Sequence, residues 1–434
     1  MNWILERAAE ANHVDLEAWE TALRCAVLQA GAGALQTLLD GIGSGPQVAP
    51  VLCGCGSLME SRGREDKDLL TVLGPVAYRR SRYVCPDCGE SRYPGEEALD
   101  VVGTTRSPGV RRLMARAGSK TPFKEAREDL LVYAGLSLSA KDVERVAEQT
   151  GEAMGAWNQQ ERAEVLARPP LPTGQPPIPI LYISYDGTGI PMTRRELAGR
   201  RGKQPDGSAR TREAKLGCVF TQTTVDAEGY PVRDPDSTSF VGAIENAEDF
   251  GWRIYAEAVR RGIDHAQRVV VLGDGAVWIK GTAEMHFPGA TQIVDLYHAR
   301  QHVATLAKLL FPDQAVAELA QRRLWWDDLD AGAVEKIMAE ARVRLPRRSQ
   351  RRHDALKEIG YLDKNRDRMR YAEFRRQHLF VGSGVIEAGC KTVIGQRMKQ
   401  SGMEWSMRGA NAILTLRCTM LSGRQQDYWE SRAA

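Results

Sequence analysis

The chain has 434 residues, 43% of them apolar, which is enough for about three domains of ~150 residues with cores of their own. Its formal net charge of +3 excludes a polycation that holds nucleic acid by overall charge alone. No run in the sequence reaches the roughly 18 uninterrupted apolar residues of a membrane span, and Glu6, Glu10, Asp15 and Glu17 stand where a basic apolar leader would be. A cytoplasmic protein with no membrane partner is expected.

Charge is unevenly placed. Arg344 to Lys399 holds 15 Lys/Arg against 6 Asp/Glu, and Arg194 to Lys215 holds 8 against 3. Such stretches are either solvated faces or tracks for a polyanion. Of the eight cysteines, four cluster, a usage that suits a reducing compartment and a metal better than disulfides.

Residues 1–48 read as an N-terminal helical region of two helices. Leu16, Trp19, Leu23 and Val27 recur at helical spacing, and the glycines of Gly41-Ile-Gly-Ser-Gly45 stop the pattern. A stripe of this kind belongs to a core or to a partner helix. Residues 49–104 read as a zinc-ribbon-like module. Cys53-Gly-Cys55-Gly and Cys85-Pro-Asp-Cys88-Gly flank an alternating segment (Leu70, Val72, Leu73, Val76, Tyr78, Tyr83) that predicts a hairpin. Two cysteine pairs, each followed by glycine so that amides can approach the thiolates, supply four soft ligands for one tetrahedral Zn2+. The first pair is C-x-C, a departure from the two-residue spacing that lets both sulfurs chelate without strain.

Residues 105–165 read as a helix-turn-helix region: Glu125 to Tyr133 is amphipathic, Gly135 breaks it, and Ser139 caps Ala140 to Gln149. Lys141, Arg145 and Gln149 would then face phosphates or base edges in a major groove. A plain two-helix hairpin with glycine in its turn gives the same pattern. Residues 166–179, with six prolines between Arg168 and Ile180, read as a stiff linker and the main domain boundary.

Immediately beyond, Ile180-Leu-Tyr-Ile-Ser-Tyr-Asp186-Gly reads as a strand delivering an aspartate, with glycine where the chain turns sharply. Arg268-Val-Val-Val-Leu-Gly-Asp274-Gly is a second, continuously apolar strand that also ends in Asp-Gly and leads into a helix. The third carboxylate is Glu387 in Gly382-Ser-Gly-Val-Ile-Glu387, where Glu387, Lys391 and Met398 recur on one helical face. Three carboxylates brought together suit two Mg2+ ions, hard cations that prefer oxygen ligands and serve in-line attack on a phosphodiester. A strand-terminal Asp-Gly is equally a turn former.

At these residues the chain resembles the ISKra-type insertion-sequence transposases, which belong with the DDE transposases. The likeness runs through YISYDGTGIPMTRREL, GRRGKQPDGSARTREAKLGCVFTQT, VRDPDSTSFVGAIE, VVVLGDGAVWI, IVDLYHARQH and GSGVIEAGCKTVIGQRMKQSGMEWS, and more weakly through the cysteine region. It implies an α/β ribonuclease H-like catalytic domain over 180–434 with a helical insertion at 303–379. Asp186, Asp274 and Glu387 become the catalytic residues and the ligands of two Mg2+ ions, for which Mn2+ would substitute. Asp295, His298, Lys391 and Arg397 would support the site or the DNA. The implied partners are DNA, as terminal inverted repeats and as target, and a second copy of the chain in a homodimer or higher assembly at the nucleoid.

In DLYHARQH, His298 and His302 at i and i+4 are alternatively a chelating pair, although the HExxH of a zincin is absent. Gly384-Val-Ile-Glu-Ala-Gly389-Cys-Lys391 misses a phosphate-cradling loop, because Cys390 separates the glycine from the lysine. Trp325 and Trp326 read as core packing more readily than as base-stacking platforms. The arginine series Arg347, Arg348, Arg351, Arg352, Arg366, Arg368 and Arg370 offers a track for a DNA backbone. Competing functions are an inactive zinc and helix-turn-helix regulator, a nuclease without strand transfer, and a two-carboxylate glycosidase, which explains neither the basic segments nor the cysteines.

Overall fold

The structure is a computed structural model that describes residues 15–43, 50–167, 176–202, 204–205 and 207–432. The chain forms two compact units, Met1–Thr150 with Trp429–Ala434, and Gly151–Tyr428. The division falls inside a long helix, Ala140–Ala167. Of the expected linker at 166–179, residues 168–175 lie outside the described residues, and the remainder ends that helix and opens a strand at Ile178.

Of the helical region expected at 1–48, the described residues form one helix, α1 (Leu16–Gly43); residues 1–14, where the other expected helix would fall, lie outside the described residues. Its stripe is not a core face, since Leu16, Leu23 and Val27 are 63%, 47% and 69% exposed. The buried contact comes from the other end, where Leu39, with Ala32 and Leu35, packs on Leu69, Val76, Tyr78 and Val101. Over Leu16–Gly41 this helix is long and apolar enough to cross a membrane by length and composition, although no uninterrupted apolar run of that length occurs in it. The hairpin is present: β1 (Glu60–Thr71) pairs antiparallel with β2 (Gly74–Val84), and β3 (Ser91–Arg92) adds to β2. Helices α2 (Pro108–Lys120), α3 (Phe123–Ala134) and the start of α4 (Ala140–Ala167) then bury Val110, Met114, Ala126, Leu130, Val143 and Val146 together. Gly135 caps α3 at φ 69°, a left-handed conformation that glycine adopts without a Cβ penalty.

The second unit is a mixed α/β structure. Its five-stranded sheet consists of β4 (Ile178–Pro191), β5 (Thr211–Gln222), β6 (Ser239–Ala243), β7 (Ala266–Gly273) and β8 (Thr291–Val294), in the order β8-β7-β4-β5-β6. β5 runs antiparallel to β4 and to β6, while β7 joins parallel to β4 and β8 parallel to β7. Because successive side chains alternate faces, Leu181, Ile183 and Tyr185 pack against Phe250 and Ile254 of α5 (Ala247–Arg260) and Ile279 and Ala283 of α6 (Val277–His286). The opposite face carries Tyr182, Ser184 and Asp186. Both faces are covered, which is why the strands read as unbroken apolar runs.

After β8 come α7 (Leu296–Leu310), α8 (Ala315–Asp330), α9 (Val334–Val343), α10 (Gln350–Asn365) and α11 (Tyr371–Arg376), the helices of the segment expected as an insertion. Trp325 is fully buried within it and donates its indole N–H to Glu340 at 3.0 Å, so it packs a core, while Trp326 is half-buried and donates to the Arg300 carbonyl at 3.1 Å. The chain then returns through α12 (Gly384–Gly389), a π-helical turn over Cys390–Gly395, and α13 (Met407–Leu421).

Candidate active site and candidate metal centre

Asp186 is not at a strand end, as the Asp-Gly pattern suggested. β4 runs on to Pro191 opposite Thr211 of β5, while its pairing with β7 stops at Ser184 opposite Leu272, so Asp186 projects just beyond the parallel neighbour. Gly187 makes no turn. A Cβ there would lie 2.5 Å from Oε1 of Glu213, so the glycine admits that side chain. The Asp186 carboxylate accepts the Gly187 N–H at 2.6 Å and faces the Cys390 thiol at 3.7 Å. Burial, and then the charge of Asp274, push its pKa up; burial and the charge of Asp186 in turn push the Cys390 thiol up to about 12.

Asp274 follows the last residue of β7, as expected, and its carboxylate accepts the Ala276 N–H at 2.9 Å. Gly275 turns the chain at φ 79°, and a Cβ on it would lie 2.6 Å from the Tyr361 hydroxyl. Glycine is therefore required twice over, for conformation and for space.

Asp295, only 1% exposed, serves the site from behind. Its N–H reaches the Gly273 carbonyl at 2.8 Å, and its carboxylate accepts the N–H of His298 at 2.6 Å and of Ser383 at 2.5 Å, fixing the start of α7 and the approach to α12. The Ser383 hydroxyl donates to Glu387 at 3.3 Å. Asp186, Asp274 and Glu387, with Asp295, His298 and Ser383, line one cavity of about 120 Å3.

Other expected site residues sit differently. The single helical face of Glu387, Lys391 and Met398 does not form, because the π-helical turn changes the period: Glu387 and Lys391 are exposed and Met398 is fully buried. Arg397, expected to support the site or the DNA, is 1% exposed and stacks 5.0 Å from the Trp405 ring centre. His302 is turned to Glu358 at 2.6 Å and stacks on Tyr361 at 3.6 Å, leaving His298 alone at the cavity. Sequence reasoning missed Tyr361, Cys390 and Ser383. Ser383 and Cys390 lie inside the Glu387 motif, but nothing local marks Tyr361, which is 87 residues from the Asp274 it touches.

The four cysteines do converge. Cys53 and Cys88 sulfurs are 3.4 Å apart, Cys55 and Cys85 sulfurs 3.6 Å, and all four lie within 4.8 Å of one another. Two similar loops bring them there. Cys53 N–H bonds to Ser57 O and Gly56 N–H to Cys53 O, both at 2.9 Å, as Cys85 N–H bonds to Glu90 O and Gly89 N–H to Cys85 O. Gly56 and Gly89 take φ 91° and 75°, so the C-x-C spacing closes without displacing a sulfur. Ser57 pulls the Cys55 thiol down to about 6. This set can hold a soft-ligand metal such as zinc. The cavity's carboxylates offer hard oxygen donors but are not gathered in this way.

Of the residues expected to contact DNA from a helix-turn-helix, Lys141, Arg145 and Gln149 are exposed along one side of α4. Lys141 pairs with Glu144 at 2.9 Å and Arg145 with Asp142 at 2.5 Å. Asp142 also accepts from Arg106 at 2.8 Å. Four of the seven arginines expected as a DNA track have partners among the described residues. Arg366 pairs with Asp363, Arg370 with Glu335 at 2.5 Å, Arg368 bonds to Asn365 and Arg352 to the Pro346 carbonyl. Arg347, Arg348 and Arg351 remain exposed with no ion pair to a described residue.

Residues 235–432, under half of the chain, match the model of an uncharacterised protein family (UPF0236). That segment contains Asp274, Asp295 and Glu387 and excludes Asp186 and the four clustered cysteines. No curated protein matches the chain.

Proposed function

We propose that this chain is a DNA transposase of the DDE class, with a ribonuclease H-like catalytic domain resembling that of the ISKra-type enzymes. The observation that carries the reading is the meeting of Asp186, Asp274 and Glu387 in one cavity, from two adjacent central strands and a helix far apart in sequence. The mixed sheet with its helical insertion between Asp274 and Glu387 supports the same reading.

Burial and the neighbouring Asp274 both penalise the Asp186 anion, so the site is built to be completed by positive charge. Two Mg2+ ions held by Asp186, Asp274 and Glu387, with Mn2+ as a substitute, would supply Lewis-acid activation of the attacking oxygen and charge for the leaving one. The protein's own residues set the geometry. Gly187 N–H and Cys390 orient Asp186, Ser383 orients Glu387, and Asp295 locks the loop and helix start that carry Ser383 and His298. A zinc held by Cys53, Cys55, Cys85 and Cys88 would stabilise the hairpin module, the α4 donors would read terminal repeats, and the free arginines would track backbone. The protein would act in the cytoplasm at the nucleoid, as a homodimer or higher assembly that joins two ends.

The test is magnesium-dependent cleavage and strand transfer on DNA carrying the terminal repeats. Asp186→Asn and Asp274→Asn should lower both on the order of 10³-fold while folding and DNA binding persist, because an amide is a nearly isosteric but poorer metal ligand. Full activity in either variant would refute the assignment, and cleavage without joining would reduce the protein to a nuclease.

A further inference from the structure

The strand that carries Asp186 runs past most of the sheet. β4 and β5 pair on to Pro191 opposite Thr211, whereas β7 leaves β4 at Ser184, so a two-stranded ribbon extends beyond the cavity within the Gly151–Tyr428 unit. Its end is anchored. Met192 N–H bonds to Arg210 O at 3.2 Å, Thr193 N–H to Trp405 O at 3.0 Å and Trp405 N–H to Pro191 O at 3.1 Å, and both Met192 and Trp405 are buried. The connection from β4 to β5 thus leaves from a fixed base.

This connection lies in the basic stretch Arg194 to Lys215, with 8 Lys/Arg against 3 Asp/Glu, and little of its charge is neutralised. Arg194, Arg195, Arg200, Arg201 and Arg210 are exposed, and none makes an ion pair or a side-chain hydrogen bond with a described residue. Of the acids, Glu213 pairs with Lys215 at 2.9 Å and Glu196 accepts the Met407 N–H at 3.1 Å, while Asp206, like Lys203, lies outside the described residues. Burial and then the Arg200 charge work against the Arg212 cation, and Glu196 offsets them only in part. The surplus reaches toward the cavity. Thr188, two residues beyond Asp186, lies on the same face of β4 roughly 7 Å along it, and its hydroxyl accepts from the Lys399 ammonium. Lys399 is exposed and has no ion pair with a described residue.

We propose that this connection, with Lys399 at its base, is the surface on which the backbone of duplex DNA lies as it enters the cavity. No large apolar side chain is exposed among the described residues of 192–212, so the surface lacks both the anchors of a protein interface and the platforms on which bases stack. It offers unpaired guanidinium forks, which suit the regularly spaced phosphates of a duplex. Contacts to phosphate position the duplex without reading its sequence. The inference rests on the reading of the chain as a DNA enzyme and adds a path for the substrate to the one offered by Arg347, Arg348 and Arg351.

A labelled duplex without terminal repeats, bound by the full chain in metal-free buffer and followed by fluorescence anisotropy across a salt series, tests this. The slope of log affinity against log salt is about 0.9 per phosphate neutralised. Changing Arg194, Arg195 and Arg200 together to glutamine should make it shallower by about 2 to 3 and weaken binding at least tenfold at low salt, and Lys399→Gln should make it shallower by about 1. Changing Lys280, Lys336 and Lys357 to glutamine removes as much positive charge, but from lysines already paired with carboxylates, and should alter the slope by less than about 1. If the triple arginine variant does not fold, Arg194→Gln with Arg195→Gln is read in the same way. An unaltered slope in the arginine variant, or equal effects of the arginine and lysine sets, overturns the proposal. So does competition by polyglutamate that matches the duplex charge for charge, which would mark a surface for an acidic protein. Because binding is measured without Mg2+, normal cleavage with an unaltered slope defeats the surface alone, whereas arginine-dependent binding without cleavage defeats the catalytic reading alone.

Discussion

The Tyr361 hydroxyl, on α10 of the helical insertion, donates a 2.9 Å hydrogen bond to the main-chain carbonyl of Asp274. That bond ties the turn carrying a cavity aspartate to a helix 87 residues away. His302 stacks on the same ring and is itself held by Glu358, so the insertion braces the site rather than hanging from it.

Tyr361→Phe should therefore keep the fold and DNA affinity but lower cleavage about tenfold, because a turn displaced by a fraction of an ångström loses aligned geometry. Gly275→Ala should do far worse, combining a left-handed φ with a contact to Tyr361, and should also lower the melting temperature. A Tyr361→Phe variant with wild-type cleavage would show that the brace has no catalytic consequence.

Glu387, and neither Glu373 nor Glu404, should be the closing carboxylate, because it alone of the three lines the cavity. Glu387→Gln is expected to abolish excision in Mg2+ and in Mn2+, while Glu373→Gln and Glu404→Gln retain it. The reverse pattern would move the site.

Purified protein should carry about one zinc per chain. Replacing both Cys85 and Cys88 by serine should release it and unfold the hairpin module, seen as loss of protection in amide exchange over β1 and β2. Unchanged metal content in that double variant would leave the cysteine cluster without a metal role.

His286 is buried beside Trp252, with ring centres 4.8 Å apart, and burial lowers its pKa below the usual 6.5. For a base depressed in the folded state, the unfolded chain takes up its proton first. The stability present above 6.5 is then lost as pH falls through that value toward the folded one. His286→Gln should flatten the decline of melting temperature between pH 7 and pH 5 compared with the unaltered chain, and parallel curves would exclude His286 as a source.

The free arginines Arg347, Arg348 and Arg351 should set the salt dependence of nonspecific DNA binding. Changing all three to glutamine should make the slope of log affinity against log salt shallower by about 2 to 3. Changing the paired Arg366 and Arg370 should alter it less, and an equal effect would mean that ion pairing does not select the contacts.

Local pattern alone was enough for several features. The apolar run before Asp274 marks a buried strand and the turn after it, paired cysteines with trailing glycines mark two sulfur-bearing loops around a hairpin, and helical spacing marks the insertion. Each depends on contacts a few residues apart, which the order of amino acids encodes directly. What only the tertiary structure decided depends on which distant groups share a space. Asp186 lies within a strand because β5 outruns β7, Gly187 is fixed by Glu213, and Arg397 is withdrawn beneath Trp405. Of the seven arginines from Arg347 to Arg370, two are held by ion pairs and two by hydrogen bonds, which leaves Arg347, Arg348 and Arg351 with no ion pair to a described residue. The stripe on α1 reads like a core face, yet burial depends on what is packed against a surface, and here the contact falls at Leu35 and Leu39 instead.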